Sequence, residues 1–322
     1  MLRKPARWQS SASHLLLLTK FVHPQPGDYP CNKHWGQAWA EVLQEPVQQA
    51  IKHFIAQKMI APANTAESLD AIYKVTELGQ MLRERSLKVS GKKDVLIARL
   101  IEADPKAMAA IAAKGNILIC TTEGRAAAEI FTRQQEIERA TVEKSVVSAL
   151  ERGDFHEASR LVAAFEAQQV FGRGLGIDWA RHDTTLDAEK LRIIYSAHPG
   201  ILRRVPANEM PRLRLAAAWM SLWGTSRVDP ALLPSNVPGV RFDPQTAARM
   251  LMFYASHKIE LGRLQQMGFA KGVTILSASD SCEHCRSLAG RFYLWGEVPE
   301  LPHPDCEHPM GCRCQYISSS RL

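Results

Sequence analysis

Five of the seven cysteines lie in the last 41 residues of this 322-residue chain, at Cys282, Cys285, Cys306, Cys312 and Cys314. The first two form a C-x2-C pair, Cys306 follows after a long loop, and Cys312 and Cys314 stand one residue apart. A C-x2-C turn followed ~15–20 residues later by a second sulfur-rich turn is the spacing with which a chain builds a tetrahedral structural zinc site. The tail around these residues is rich in turn formers and poor in large apolar side chains. Its own core is too small to hold it, so one structural Zn2+ ion is expected to supply folding energy directly. Free or disulfide-paired thiols are the alternative reading, and they suit an oxidising compartment.

The rest of the chain speaks against such a compartment. The cysteine count is odd, and Cys31 and Cys120 are isolated in sequence. Near the N-terminus the apolar run Leu15–Leu18 is about half the length of a signal-peptide core and has no small-residue cleavage site after it. No stretch reaches the ~18 consecutive apolar residues of a membrane-spanning helix. A cytoplasmic protein without a membrane partner is the expectation. A hydrophobic fraction of 46% and a charged fraction of 23% fit ordinary globular domains, and the length suffices for two or three of them. The net charge of +7 permits a polyanionic partner.

Where the charge lies matters more, and residues 74–103 carry seven of the 40 basic residues. Val75, Leu78, Met81 and Leu82 recur at helical spacing, as do Leu96, Ile97, Leu100 and Ile101. Between the two runs lies a short segment containing the turn pair Ser90-Gly91, with Thr76 and Ser90 as candidate N-caps and Asp94 in the first turn of the second helix. From Arg85 to Lys93 there are four basic residues and no acid. The open amides at the start of the second helix would point into this patch, and a helix N-terminus flanked by lysines is suited to phosphate.

This block resembles the SAP domain, a small helix–extended–helix module that binds DNA through its backbone. The family pattern GL-x-V-S-G-x-K-x-x-L-I-x-R-L reads here from Ser86 to Leu100, with Ser86 where glycine is usual. The resemblance implies double-stranded DNA as partner, Ser90, Gly91, Lys92 and Lys93 facing phosphates, and Lys88, Arg85 and Arg99 as supporting charge. A solvated helical hairpin, or one that contacts protein, is the alternative.

The flanks read as helical. Residues 35–62 place Ala50, Ile51, Phe54 and Ile55 on one face. Residues 106–140 hold a helix, a short strand Ile117–Cys120, and the turn Thr121-Thr122-Glu123-Gly124 opening a further helix. The middle, 126–270, is mostly helical and is a candidate surface for protein partners. Leu150, Phe155, Ala158, Leu161, Val162 and Phe165 mark a helical hairpin broken at Gly153-Asp154. The proline-rich stretch 206–239 reads as a loop or linker around a helix Arg212–Trp223. The glycines at 172, 174 and 176 lack the preceding strand and the phosphate lysine of a nucleotide loop, so they read as a plain turn. The fold class expected is mainly α with small β elements. Its domains would be an N-terminal helical segment 1–65, the SAP-containing unit 66–125, a helical middle 126–240, and a zinc-stabilised unit 241–322.

The last unit is expected to open with a helix Gln245–Met267 and a strand Gly272–Ser277, followed by a D-x-C-x-x-C-x-x-L-x-G-x-x-Y run from Asp280 to Tyr293. With Pro304-Asp305-Cys306 and Cys312-Arg313-Cys314, this resembles the C-terminal region of Mu-type phage head-morphogenesis (minor head) proteins, over about 70 residues. What that implies is the fold of the zinc unit, with Cys282, Cys285, Cys306 and Cys312 as the preferred tetrad. Cys314 competes for the fourth place, and His303 is a possible substitute.

Three functional classes follow. The first is a DNA-binding protein with a structural zinc site, nucleoid-associated or phage-related. The second is a nuclease targeted by the SAP module, with His284, His303 and His308 available. The third is a phage-type assembly protein. The enzyme reading lacks support in the residues: there is no paired acidic metal motif and no nucleophile with an identifiable base, so no catalytic residue is named.

Overall fold

The computed structural model describes residues 7–30, 33–174, 176–268 and 270–319; Cys31 lies outside them. The chain is mainly helical with two small antiparallel sheets, and it forms two compact units, Met1–Glu138 and Arg139–Leu322.

The first unit runs α1 (Ala12–Lys20), β1 (Gln25–Pro26), α2 (Lys33–Leu43), α3 (Val47–Ala56), β2 (Ile60–Pro62), α4 (Thr65–Ile72), α5 (Val75–Arg83), α6 (Lys93–Ala103), α7 (Pro105–Gly115), β3 (Ile117–Cys120) and the start of α8 (Thr122–Glu151). The run Leu15–Leu18 belongs to α1, where Leu17 and Leu18 are fully buried. The strand read from sequence at Ile117–Cys120 is the centre of a sheet ordered β1-β3-β2. The Thr121 turn is fixed by this sheet. Its hydroxyl donates to the Lys58 carbonyl at 2.7 Å and accepts from the Gly124 amide at 3.2 Å. A Cβ at Gly124 would lie 1.8 Å from the Met59 carbonyl oxygen, so only glycine lets α8 start this close to β2. Of the face expected on α3, Ala50, Ile51 and Phe54 are buried, whereas Ile55 is exposed because the helix ends one residue later at Ala56.

The SAP region is not an isolated hairpin. Leu78 and Leu82 of α5 and Leu96, Ile97 and Leu100 of α6 share one core with Leu69 of α4 and Met108 of α7. Four short helices thus bury one apolar centre that two alone could not close. Both N-caps lie elsewhere than expected. Helix α5 starts after Lys74, whose amide donates to the Glu77 carboxylate at 2.6 Å, and this carboxylate at the third helical position sets the start ahead of Thr76. Helix α6 starts after Lys92 and not at Ser90, because Gly91, at φ 137°, keeps the chain out of the helical region.

Helix α5 ends in a left-handed residue, and that residue is Ser86, at φ 56°. The Leu87 amide reaches back to the Leu82 carbonyl and the Ser86 amide to the Arg83 carbonyl, both at 2.9 Å, which is a Schellman closure. The chain therefore needs here the conformation that glycine supplies in the family pattern. A non-glycine residue in this region costs ~1–2 kcal/mol, against ~0.5–1 kcal/mol of extra chain entropy lost by glycine. Ser86→Gly should stabilise the first unit by about 0.5–1 kcal/mol, raising its melting temperature by ~2–4 °C in calorimetry.

The second unit contains the end of α8, α9 (Phe155–Ala167), α10 (Thr185–Ser196), α11 (Met210–Trp223), α12 (Pro244–Gln266), β4 (Gly272–Leu276), α13 (Glu283–Leu288), β5 (Phe292–Leu294) and β6 (Gln315–Ser319). The break at Gly153-Asp154 is as read: Gly153 is left-handed, and the Asp154 carboxylate caps α9 by accepting from the Glu157 amide at 3.1 Å. Helix α11 buries Leu213, Ala216, Ala217, Ala218, Trp219, Met220, Leu222 and Trp223, so it is apolar on almost every side and forms the centre of the unit. Outside this helix, residues 206–239 are loop with two short 3-10 turns, as the loop reading expects. They enclose this central helix, and Val237 joins the same core. Helix α12 packs along α10 and α11, and its chain continues into a sheet ordered β5-β4-β6.

Candidate metal centre and nucleic-acid interface

Strand β4 lies between β5 and β6, pairing Thr274 with Phe292 on one side and with Ile317 on the other. The C-x2-C pair follows β4, with Cys282 as the residue before α13 and Cys285 inside it. Cys312 and Cys314 lie just ahead of β6. Antiparallel pairing of β4 with β6 therefore brings together two cysteine groups that are far apart in sequence. The loop between β5 and β6 adds Cys306.

All five sulfurs converge. Cys282 and Cys306 are 3.8 Å apart, as are Cys285 and Cys312. A tetrahedral ion with bonds of about 2.3 Å to sulfur requires sulfur–sulfur edges of about 3.8 Å. Each of the two measured contacts has the length of one such edge. Among the described residues the groups able to hold a metal are Cys282–Cys285–Cys306 and Cys285–Cys312–Cys314, each with sulfurs within 4.8 Å of one another. Cys285 is common to both.

The cluster is part of the hydrophobic core. Cys285, Cys306, Cys312 and Cys314 are buried with Met250, Leu251 and Ile275, while Cys282 is half-buried. The turn before Cys312 is locked onto α12. Gly311 is left-handed at φ 78°, and a Cβ there would lie 2.5 Å from the Met250 methyl. The Cys312 amide donates to the Met250 sulfur at 3.2 Å, and Arg249 donates to the Met310 carbonyl at 2.8 Å. No sequence spacing pointed to Arg249 or Met250, which lie about 60 residues before the turn they hold.

Crowded thiols compete for charge. Contacts from Cys285, Cys306 and Cys314 hold Cys312 well below the ordinary thiol range, making it the favoured thiolate. Cys306 is pushed up by its contacts with Cys285 and Cys312 and by burial. Cys314 is pushed up to about 12: its contact with Cys285 pulls downward, but the contact with Cys312 and burial outweigh it. Cys282 is also held below its ordinary range, burial being outweighed by hydrogen bonds with the Cys285 and Glu307 backbone, and a divalent cation amid the sulfurs would make several thiolates compatible. The donor set fits a metal ion, because it is all sulfur and mostly buried.

The histidines near the cysteines have other attachments. His284 and His303 stack at 6.0 Å between ring centres, and His303 Nδ1 accepts from the Asp305 amide at 3.1 Å. His308 accepts from the Met310 amide at 3.1 Å and meets Arg313 at 3.1 Å. Among the described residues neither metal-capable group contains a histidine, so His303 is not brought in as a ligand.

Four ligands suffice for one tetrahedral ion and five are present, which gives a direct test. Cys312 and Cys314 belong to the same triad, and of the two it is Cys312 that stands 3.8 Å from the shared Cys285. Cys314→Ser should retain one metal ion per chain by elemental analysis, and Cys312→Ser should retain much less.

In the first unit, the basic turn is exposed from Lys88 to Lys92. No side chain caps the start of α6, so its first amides are open at this turn. The seven residues singled out by sequence divide into two kinds. Arg99 donates to the carbonyls of Lys88 and Ser90, bracing the turn from inside. Arg85 donates to the Met81 carbonyl at 3.0 Å and approaches Asp104 at 4.0 Å. Lys93 pairs with Asp70 of α4 at 3.1 Å, a partner 23 residues away that no local pattern announced. Lys88 and Lys92 make no side-chain hydrogen bond or ion pair among the described residues, and both are exposed with Ser90 and Gly91.

Residues 73–105 match the family model of the SAP domain, about a tenth of the chain, spanning α5, the basic turn and α6. No curated protein and no solved structure matches the chain. Among the described residues, no helix is long and apolar enough to cross a membrane. The chain thus carries a SAP domain, which supports nucleic-acid binding, and a C-terminal cysteine cluster able to hold a metal ion.

Proposed function

We propose that this protein binds double-stranded DNA through its SAP module and that its C-terminal cysteines hold one structural zinc ion. The observation that carries the reading is the SAP match at 73–105 together with two unpaired lysines beside the uncapped start of α6. Lys88, Lys92, the Ser90 hydroxyl and the Gly91 amide contact phosphates, whereas Arg85, Lys93 and Arg99 shape the turn that presents them. Backbone contact of this kind positions a protein on duplex without reading bases. Zinc is favoured over other metals by an all-thiolate, tetrahedrally sized site. The ion ties β4, α13 and β6 together and takes no part in chemistry.

The experiment is a salt series. Affinity for a labelled mixed-sequence duplex, read by fluorescence anisotropy, should fall linearly on a log–log plot with a slope of about −2 to −4, the signature of a few neutralised phosphates. Elemental analysis of the same preparation should give one zinc per chain. A flat salt response would dispose of the DNA reading and leave the metal reading standing.

A further inference from the structure

The first unit carries an open groove of about 730 Å³ beside the SAP helices, and its charge is opposite in sign to that of the whole chain. Val22, Ile97, Ala98, Ile101 and Ile119 form an apolar floor. Four carboxylates, Glu67, Asp70, Asp94 and Glu102, line it against the single guanidinium of Arg125, on a protein of net charge +7. Such a rim repels the phosphates of nucleic acid and attracts cations, so the groove and the basic turn suit different partners.

Not all of the rim is available. Glu67 accepts from the Asn64 amide at 3.0 Å, Asp70 pairs with Lys93 at 3.1 Å, and Arg125 is tied to the Val22 carbonyl at 3.0 Å. Asp94 and Glu102 are exposed and have no side-chain partner among the described residues. They stand eight residues apart on α6, with Ala98 and Ile101 between them. At about 1.5 Å per residue that is a separation of ~12 Å, which two basic residues two turns apart on another helix would match.

We propose that this groove docks a basic amphipathic helix of a protein partner. Aliphatic side chains of that helix lie on the floor beside Ala98 and Ile101. Lysine or arginine residues about two turns apart pair with Asp94 and Glu102, as in other helix-in-groove recognition. The proposal does not depend on DNA binding.

The test uses the full chain and a fluorescein-labelled, alanine-based helical peptide with lysines about two turns apart on either side of a central leucine. At low salt it should bind with a Kd on the order of 100 µM, a weak contact expected of one short helix. Asp94→Lys with Glu102→Lys should weaken binding at least ~10-fold, the effect of reversing two close charge pairs. The same peptide with glutamates in place of its lysines should prefer that variant over the wild type. Ala98→Gln, an exposed floor substitution that leaves the rim charges intact, should also weaken the lysine peptide. Equal binding of the lysine peptide to wild type and charge-reversed protein, or no saturable binding, overturns the proposal.

Discussion

Cys285→Ser is expected to remove the metal entirely and to abolish the cooperative unfolding of the second unit. Cys285 is shared by both metal-capable triads, so its loss breaks both, and the four sulfurs that remain include no three within 4.8 Å of one another among the described residues. It is 1% exposed and lies in the same core as Met250, Leu251 and Ile275, so the damage is not confined to a peripheral tail. Structural zinc supplies ~10–16 kcal/mol in small peptides at neutral pH, whereas a whole domain is stable by only ~5–15 kcal/mol. Elemental analysis should drop from one zinc per chain to none. Calorimetry should lose the transition of the second unit and keep that of the first. Exhaustive chelation of the wild type should give the same trace. Full zinc content in the variant would remove the ion from this site.

Lys88→Ala with Lys92→Ala should lower the slope of log affinity against log salt by about two units, weakening all duplex sequences alike. Among the described residues, these are the cations of the turn that no carboxylate or carbonyl engages. Lys93→Ala alone should change the slope by less than one unit, because Asp70 already faces that ammonium at 3.1 Å. The pair is partly exposed and worth only ~0.2–1 kcal/mol, so phosphate can compete for Lys93 but leaves Asp70 uncompensated. Arg99→Ala should act differently again. It releases the carbonyls of Lys88 and Ser90, so it should loosen the turn and weaken binding with little change in slope. If the double lysine variant follows the wild type at every salt concentration, the duplex contact is not at this turn.

Much of this was legible in the chain itself. The helices α5 and α6 followed from apolar residues at helical spacing, and strand β3 was read at its observed bounds, Ile117–Cys120. The glycine-like demand at Ser86 followed from the family pattern and is met by a left-handed serine. The N-caps of α5 and α6 differ from the expected Thr76 and Ser90 because the Glu77 contact and the positive φ of Gly91 set the helix starts. The proline-rich stretch 206–239 was legible as loop around a helix but not as part of a core. Prolines mark breaks in the backbone, and they do not reveal that the helix between them is buried on nearly all sides.

The sequence by itself determined the helical class, the SAP module with its basic turn, and the presence of five clustered cysteines, since each of these is written in residues close together along the chain. Only the tertiary structure decided which charges are free and which sulfurs meet. Asp70 neutralises Lys93 from another helix, and Met250 holds the Cys312 turn from α12. Pairing of β4 with β6 brings Cys285 within 3.8 Å of Cys312. Contacts of this kind depend on packing between elements far apart in sequence, and local periodicity and spacing carry no information about them.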